Sequence, residues 1–303
     1  AGSPAKEVWI QPGDVIIKAD WQDLKDLELT DAVSKIKWPA WTQVKLEILR
    51  REEKNILSFD ITRRKIEIPT VEYKTLDNNV GYIFLSIFWE NSTEEFNKAL
   101  EDLYSKNVTG LVIDLRDNSG GILDKAVAIL SNFIEKDKLL VTTKEKDVLN
   151  NKSYFSSWNN HTKIPIIVLI NGNSASASEI TAGALKDYSL AILVWEKTYG
   201  KGSVQRPFEL SDWSEIKITV AKWYTPRDNL IDWIWIQPDI EVKFQKEDFD
   251  KKYDRQLEEW KKILNKFMEL KDTNKTIEYF KKNPISSWSG GTSTGASNSW
   301  TTK

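Results

Sequence analysis

Apolar residues recur along this chain with two different periods, and the switch between them predicts the architecture. Alternating or β-branched runs over 15–18, 43–50 and 56–61 predict three strands, and 30–36 a short helix with Thr30 as its N-cap. Residues 1–63 therefore read as a small β-rich module. From 64 to 245 strands and helices alternate. Residues 80–88, 110–115 and 164–170 are strand-like, while 93–104 places Phe96, Leu100 and Leu103 on one helical face. Helices are predicted again over 122–133 and 177–188. Apolar strands that each lead into a helix imply βαβ units and a largely parallel sheet. Residues 204–243 return to a β-rich pattern, and 246–283 form a charged helical extension, clearest over 253–271. The Ser/Gly/Thr-rich stretch 284–303 reads as a disordered tail. The predicted class is α/β with α+β character: a βαβ-containing core, a β-rich N-terminal module and a C-terminal helical extension.

Composition narrows the chemistry. Among 303 residues, 43 Lys and Arg against 45 Asp and Glu give a net charge of −2, which suggests neither a nucleic-acid groove nor a polybasic membrane patch. There is no cysteine, hence no disulfide framework, thiol nucleophile or zinc–thiolate site. The one histidine, His161, sits in the polar stretch Asn159-Asn160-His161-Thr162, so a multi-histidine metal site is excluded. Neither a metal nor a cofactor is expected. No apolar run approaches the roughly 20 residues that cross a bilayer. The chain begins at Ala1 and enters Pro12-Gly13-Asp14 and a strand almost at once, which reads as a fragment lacking its N-terminal part.

Two further counts are linked. Gly is 13, where about 21 are expected at roughly 7%, and Trp is 14. Asp20-Trp21, Asp212-Trp213 and Asp232-Trp233 stand in turn-like settings, the second between strand-like stretches where Asp-Gly is the usual hairpin turn. Tryptophan does not take φ > 0 without strain. We read many of these tryptophans as glycines in the organism, because some bacteria decode UGA as glycine and a common alternative table translates it as tryptophan. A Trp-rich chain with unusual turns is the other reading.

Three segments could carry chemistry. Ser174-Ala175-Ser176-Ala177-Ser178-Glu179 lies between an apolar strand and a helix. Small residues there let a hydroxyl protrude from a sharp turn, and the amides that follow sit at a helix N-terminus, where they favour a developing oxyanion. The same residues also read as an ordinary N-cap. In Tyr199-Gly200-Lys201-Gly202-Ser203, a lysine between two glycines has a constrained and partly apolar setting. Desolvation would lower the affinity of its amine for a proton, as a general base requires; a solvated loop lysine is the plainer reading. With Trp195 as glycine, 195–201 also matches most of a phosphate-binding loop, but residue 202 is Gly rather than Ser or Thr, and a strand rather than a helix follows. Asp114-Leu115-Arg116-Asp117-Asn118-Ser119-Gly120-Gly121 closes one strand and opens a helix. Its Gly pair allows a close backbone approach, or simply a tight turn beside a structural charge cluster.

In this order and spacing the segments resemble the carboxyl-terminal processing, or tail-specific, proteases, which are serine peptidases with a Ser-Lys dyad and a PDZ domain. The likeness covers about residues 3–245. It also takes in Pro12-Gly13-Asp14, Ile66-Glu67-Ile68-Pro69, Tyr224-Thr225-Pro226 and Gln237-Pro238-Asp239. The resemblance implies a PDZ-like domain over 1–63, truncated at its N-terminal side, and a protease core over 64–245, followed by the helical extension 246–283 and the tail 284–303. It implies Ser176 as nucleophile, Lys201 as general base and Gln205 as the group that orients the lysine, with an oxyanion hole from the amides of Ala177 and one of the Gly pair, taken as Gly120. His161 then has no catalytic duty. The implied activity is endoproteolysis of protein or peptide substrates with a free C-terminus, through an acyl-enzyme and outside the cytoplasm, in the periplasm or cell envelope. No nucleic acid is implied, and membrane association only through the missing N-terminal segment. A non-catalytic PDZ peptide-binding scaffold is the alternative. The family pattern usually has glycine at Trp9, Trp21, Trp38, Trp41, Trp195, Trp213, Trp233 and Trp235, and often at Trp89, whereas an aromatic is normal at Trp223; Trp288 and Trp300 read as glycines on the composition of the tail, and Trp158 and Trp260 fit either residue.

Overall fold

Period-two burial builds the first of two units, Ala1–Ile68, in this computed structural model. Strands β1 (Val15–Ala19), β2 (Gln22–Asp23), β3 (Gln43–Leu49) and β4 (Leu57–Thr62) form an antiparallel sheet in the order β2-β1-β3-β4. Along β3, Val44, Leu46 and Ile48 are buried while Lys45 and Glu47 point away, and Ala19, Leu24 and Ile61 complete the core. Helix α1 (Pro4–Glu7) precedes β1 in the chain, and helix α2 (Leu29–Lys37) adds Ala32 and Ile36. Its first turn already contains Thr30, so Thr30 is not the cap. The structure describes residues 3–37, 39–51, 53, 55–65, 69–157, 164–210, 214–242 and 255–285. Ile66, Glu67, Ile68, Trp38, Trp158, His161, Trp213, Trp288 and Trp300 lie outside them, as does most of the tail read as disordered.

The second unit, Pro69–Lys303, is organised by a six-stranded sheet. In spatial order from one edge it holds β5 (Val71–Leu76), β6 (Val80–Leu85), β7 (Gly110–Asp114), β10 (Ile166–Ile170), β11 (Ala191–Trp195) and β14 (Ile240–Glu241). Only β5 is antiparallel to its neighbour; β6 to β14 run parallel. Every residue of β7, β10 and β11 is buried, which explains their unbroken apolar runs. Alternate side chains feed two cores. On one face Leu111, Ile113, Ile166, Val168 and Leu193 meet helices α3 (Ser92–Ser105), α4 (Leu123–Leu130) and α5 (Ala177–Asp187). On the other, Val112, Ile167, Leu169, Ile192 and Val194 meet Trp260, Ile263, Leu264 and Phe267 of the helix Arg255–Leu270. The stretch read as an extension thus covers half of the sheet. Each parallel crossover joins adjacent strands, so α3, α4 and α5 fall on one face and leave the other to the C-terminal helices.

A second, antiparallel sheet has the order β12-β13-β8-β9, from β8 (Leu139–Glu145), β9 (Lys152–Phe155), β12 (Ser203–Glu209) and β13 (Glu215–Tyr224). Sequence periodicity missed β5, β8, β9 and β11. The first three carry mixed polar residues at sheet edges or beside them, whereas β11 is an unbroken apolar run as short as β7 and β10 that follows α5 without a glycine or proline to mark its start. No helix among the described residues is long and apolar enough to cross a membrane.

The tryptophans divide by backbone. Trp9, Trp41, Trp195, Trp233 and Trp235 have φ of 65°, 68°, 107°, 60° and 48°, in the region that favours glycine. Trp223 and Trp260 are buried outside that region. Trp21 departs from the expectation: in the turn between β1 and β2 it is Asp20 that takes φ 54°.

Candidate active site

Three loops leave the carboxyl ends of the adjacent parallel strands β7, β10 and β11, where an open parallel sheet offers a crevice. Each carries one of the segments singled out from sequence. After β10 the chain turns sharply into α5, and Ser176 takes φ 54°, ψ −114°, a strained conformation for a residue with a side chain. The hydroxyls of its two neighbouring serines are spent. Ser174 donates to the Leu115 carbonyl at 2.7 Å and Ser178 to the Asn118 carbonyl at 2.8 Å, and both residues are fully buried. Among the described residues the half-buried Ser176 hydroxyl donates to nothing.

The loop after β7 is locked against this turn. Asn118, fully buried, donates to the Leu85 carbonyl at 2.7 Å and accepts the Gly120 amide at 2.9 Å. Its carbonyl accepts the Ala175 amide at 3.0 Å. Asp117 Oδ1 accepts the side-chain amides of Asn173 and Asn171 at 2.8 and 3.0 Å, which lower the pKa of its carboxyl, Asn173 the more. Gly120 sits so close to the turn that a Cβ there would lie 2.7 Å from Ser176 Cβ and 3.0 Å from the Ala177 amide nitrogen. Ala177, first residue of α5, has its amide at the positive end of the helix dipole. The Gly120 amide, expected as an oxyanion donor, is committed here to Asn118 Oδ1. Among the described residues no hydrogen bond uses the amide of exposed Gly121.

The third loop brings Lys201. Gly200 takes φ 88° and accepts the Trp233 amide on its carbonyl at 2.9 Å, and a Cβ at Gly202 would fall 2.0 Å from the Asp232 nitrogen, so the backbone on both sides of Lys201 is fixed. The side chain itself is exposed. This corrects the expected partly apolar setting: the loop enters β12, an edge strand, and the amine projects on the solvent side. Among the described residues no hydrogen bond joins it to Ser176 or to Gln205, whose side chain is also exposed at a β-bulge in β12. What joins the two segments is Glu179. Its carboxylate is fully buried and accepts the Ser176 amide at 2.9 Å and the Lys201 amide at 2.8 Å on one oxygen. The other oxygen accepts the Thr198 hydroxyl at 2.5 Å and the Gly200 amide at 2.7 Å. The backbone nitrogens of Ser176 and Lys201 therefore lie no farther apart than the two bonds to the shared oxygen combined. Sequence reasoning passed over Glu179, although Ser176-x-x-Glu179 is a capping-box spacing that could have singled it out.

The strained Ser176 turn, the Lys201 backbone tied to the same carboxylate and the N-terminal amides of α5 thus lie together on neighbouring loops at one end of the sheet. The profile described as Peptidase family S41 matches residues 79–242, which span all three loops. The chain belongs to peptidase family S41. The carboxy-terminal processing protease CtpB of Bacillus subtilis is 39% identical over 244 residues, covering 80% of this chain and 51% of that protein. A carboxyl-terminal-processing protease of Synechocystis is 38% identical over 247 residues, covering 80% and 57%. Among solved structures, a photosystem II D1 C-terminal processing protease superposes with a TM-score of 0.54 at 30% identity, covering 80% of this chain and 66% of that one. The chain spans about half the length of the curated relatives it matches. In this S41 chain the matched region holds the five parallel strands β6, β7, β10, β11 and β14 with the helices on one face of their sheet, whereas the edge strand β5 lies before it and the helices Arg255–Leu270 and Thr273–Lys282 on the other face lie beyond it.

Proposed function

We propose that the chain is the proteolytic portion of a serine endopeptidase that cleaves protein substrates near a free C-terminus. The observation that carries this is the contrast among three serines: Ser174 and Ser178 donate to backbone carbonyls, and Ser176 alone keeps its hydroxyl proton available. Ser176 Oγ attacks the scissile carbonyl as Lys201 takes its proton. The charge that develops on the carbonyl oxygen is met by the Ala177 amide and by a second amide from the Gly pair. Gly120 serves only if Asn118 releases it, whereas the neighbouring Gly121 amide needs no such exchange. Lys201 then protonates the leaving amine, and water activated by the same amine resolves the acyl-enzyme. The four-carbon stem of Lys201 starts from a backbone tied beside Ser176, so rotation of that side chain with substrate bound carries the amine to the Ser176 hydroxyl.

The antiparallel unit ending at Ile68 is assigned as part of a PDZ-like domain, whose groove in the intact protein receives the substrate's C-terminal strand by strand addition. Its setting is assigned outside the cytoplasm. Gln205 is assigned to orient the lysine once that has moved inward. The test is cleavage of an unfolded reporter protein: the chain should cut it, and Ser176→Ala and Lys201→Ala should abolish cutting while circular dichroism stays unchanged. Cutting retained by either variant removes the dyad, and binding without turnover by the parent chain leaves the peptide-binding scaffold instead.

A further inference from the structure

We propose that Glu179 is the positioning residue of the dyad, a carboxylate whose geometry rather than charge holds the backbones of Ser176 and Lys201 in one frame. The inference rests on the proteolytic reading for its kinetic consequence but not for its geometry. An ionised carboxylate offers about four acceptor sites, and here all four are filled from two segments distant in sequence. Ser176 and Lys201 share one oxygen, and Thr198 and Gly200 the other. Glu179 is fully buried, so no water substitutes for a donor it loses. Thr198 extends the frame, since its hydroxyl oxygen also accepts the Ile236 amide at 2.8 Å.

The donor set ranks substitutions in an order that charge alone does not give. In Glu179→Gln, the carbonyl oxygen can still serve Ser176 and Lys201, while the new NH2 meets the Thr198 hydroxyl, which can turn to accept; the Gly200 amide and the Thr198 hydroxyl proton lose their acceptor, but neither belongs to the Ser176–Lys201 pair. In Glu179→Asp the charge is kept, but the side chain is one methylene shorter and does not reach both loops. Positioning therefore predicts kcat in the order Glu, then Gln, then Asp, with KM for a reporter peptide unchanged. Displacement of about 1 Å at a reacting pair costs on the order of 100-fold in rate, which is the loss expected for Asp. Labelling of Ser176 by a serine-directed phosphonate should follow the same order.

Hydrogen exchange of the parent chain supplies a test that needs neither turnover nor a folded variant. The amides of Ser176, Gly200 and Lys201 should be protected together. Unprotected Ser176 and Lys201 amides, an Asp variant faster than the Gln variant, or both variants within twofold of the parent would each overturn the proposal. Absent cleavage by the parent with those amides protected would sink the proteolytic reading and leave the Glu179 frame standing.

Discussion

Gly120 lies in contact with Ser176: a Cβ added to the glycine would sit 2.7 Å from Ser176 Cβ and equally close to the Ala175 carbonyl oxygen. The two residues belong to loops that follow different strands, and their meeting is what places a glycine amide loop beside the nucleophile. Gly120 also has φ 101°, so a side chain there is strained whatever the space. Gly120→Ala should destabilise the fold by about 2–5 kcal/mol through combined strain and overpacking, and remove proteolysis. Urea unfolding and turnover on the reporter protein measure the two effects, and an alanine variant with parental turnover would show that the loop has another arrangement when substrate is bound.

The first unit makes a separate prediction about acid. Asp14 is held at about 2, from an ordinary 3.8, chiefly by its hydrogen bond from Arg50, at 2.8 Å, and then by the Gln11 amide. A carboxyl whose folded value is depressed contributes stability that is complete above its unfolded value and lost as pH falls through the folded one. The parent should therefore exceed Asp14→Asn in stability above about pH 4, and the gap should close towards pH 2. Urea titrations followed by exchange of β1 and β3 amides read this directly, and a gap independent of pH would remove the ion pair as its cause.

The tryptophans with left-handed backbones offer a third test. Trp9, Trp41 and Trp233 are about four-fifths exposed, at 78%, 78% and 77%, so their rings bury little while their backbones are strained. Left-handed geometry costs a residue with a side chain about 1–2 kcal/mol. Replacing each by glycine should raise stability by about 1 kcal/mol after the flexibility of glycine is counted. Trp21, just as exposed but outside that region, should show no gain. The gene gives the companion observation: UGA at positions 9, 41, 195, 233 and 235 is expected, and UGG there ends the glycine reading.

How much was legible beforehand depended on whether a feature was local. The apolar runs over β7 and β10, and the amphipathic stripe of Phe96, Leu100 and Leu103 in α3, are written in residue order and were found within a few positions. Strands β8 and β9 were not, because an antiparallel edge strand and its inner neighbour mix polar and apolar residues, and their pairing partners decide them. Ser176, Ala177 and Lys201 stood out through the glycines and small residues that their turns require.

The sequence alone therefore determined which segments turn sharply, which are buried on both faces, and which residues are chemically able to act as nucleophile and base. Tertiary structure decided which of three serines donates its hydroxyl proton to no carbonyl, that Asn118 claims the Gly120 amide, and that Lys201 faces solvent. It also brought Glu179 between two loops. Each of those outcomes is set by hydrogen-bond partners far apart in the chain, and no local pattern encodes a partner that only folding brings within 3 Å.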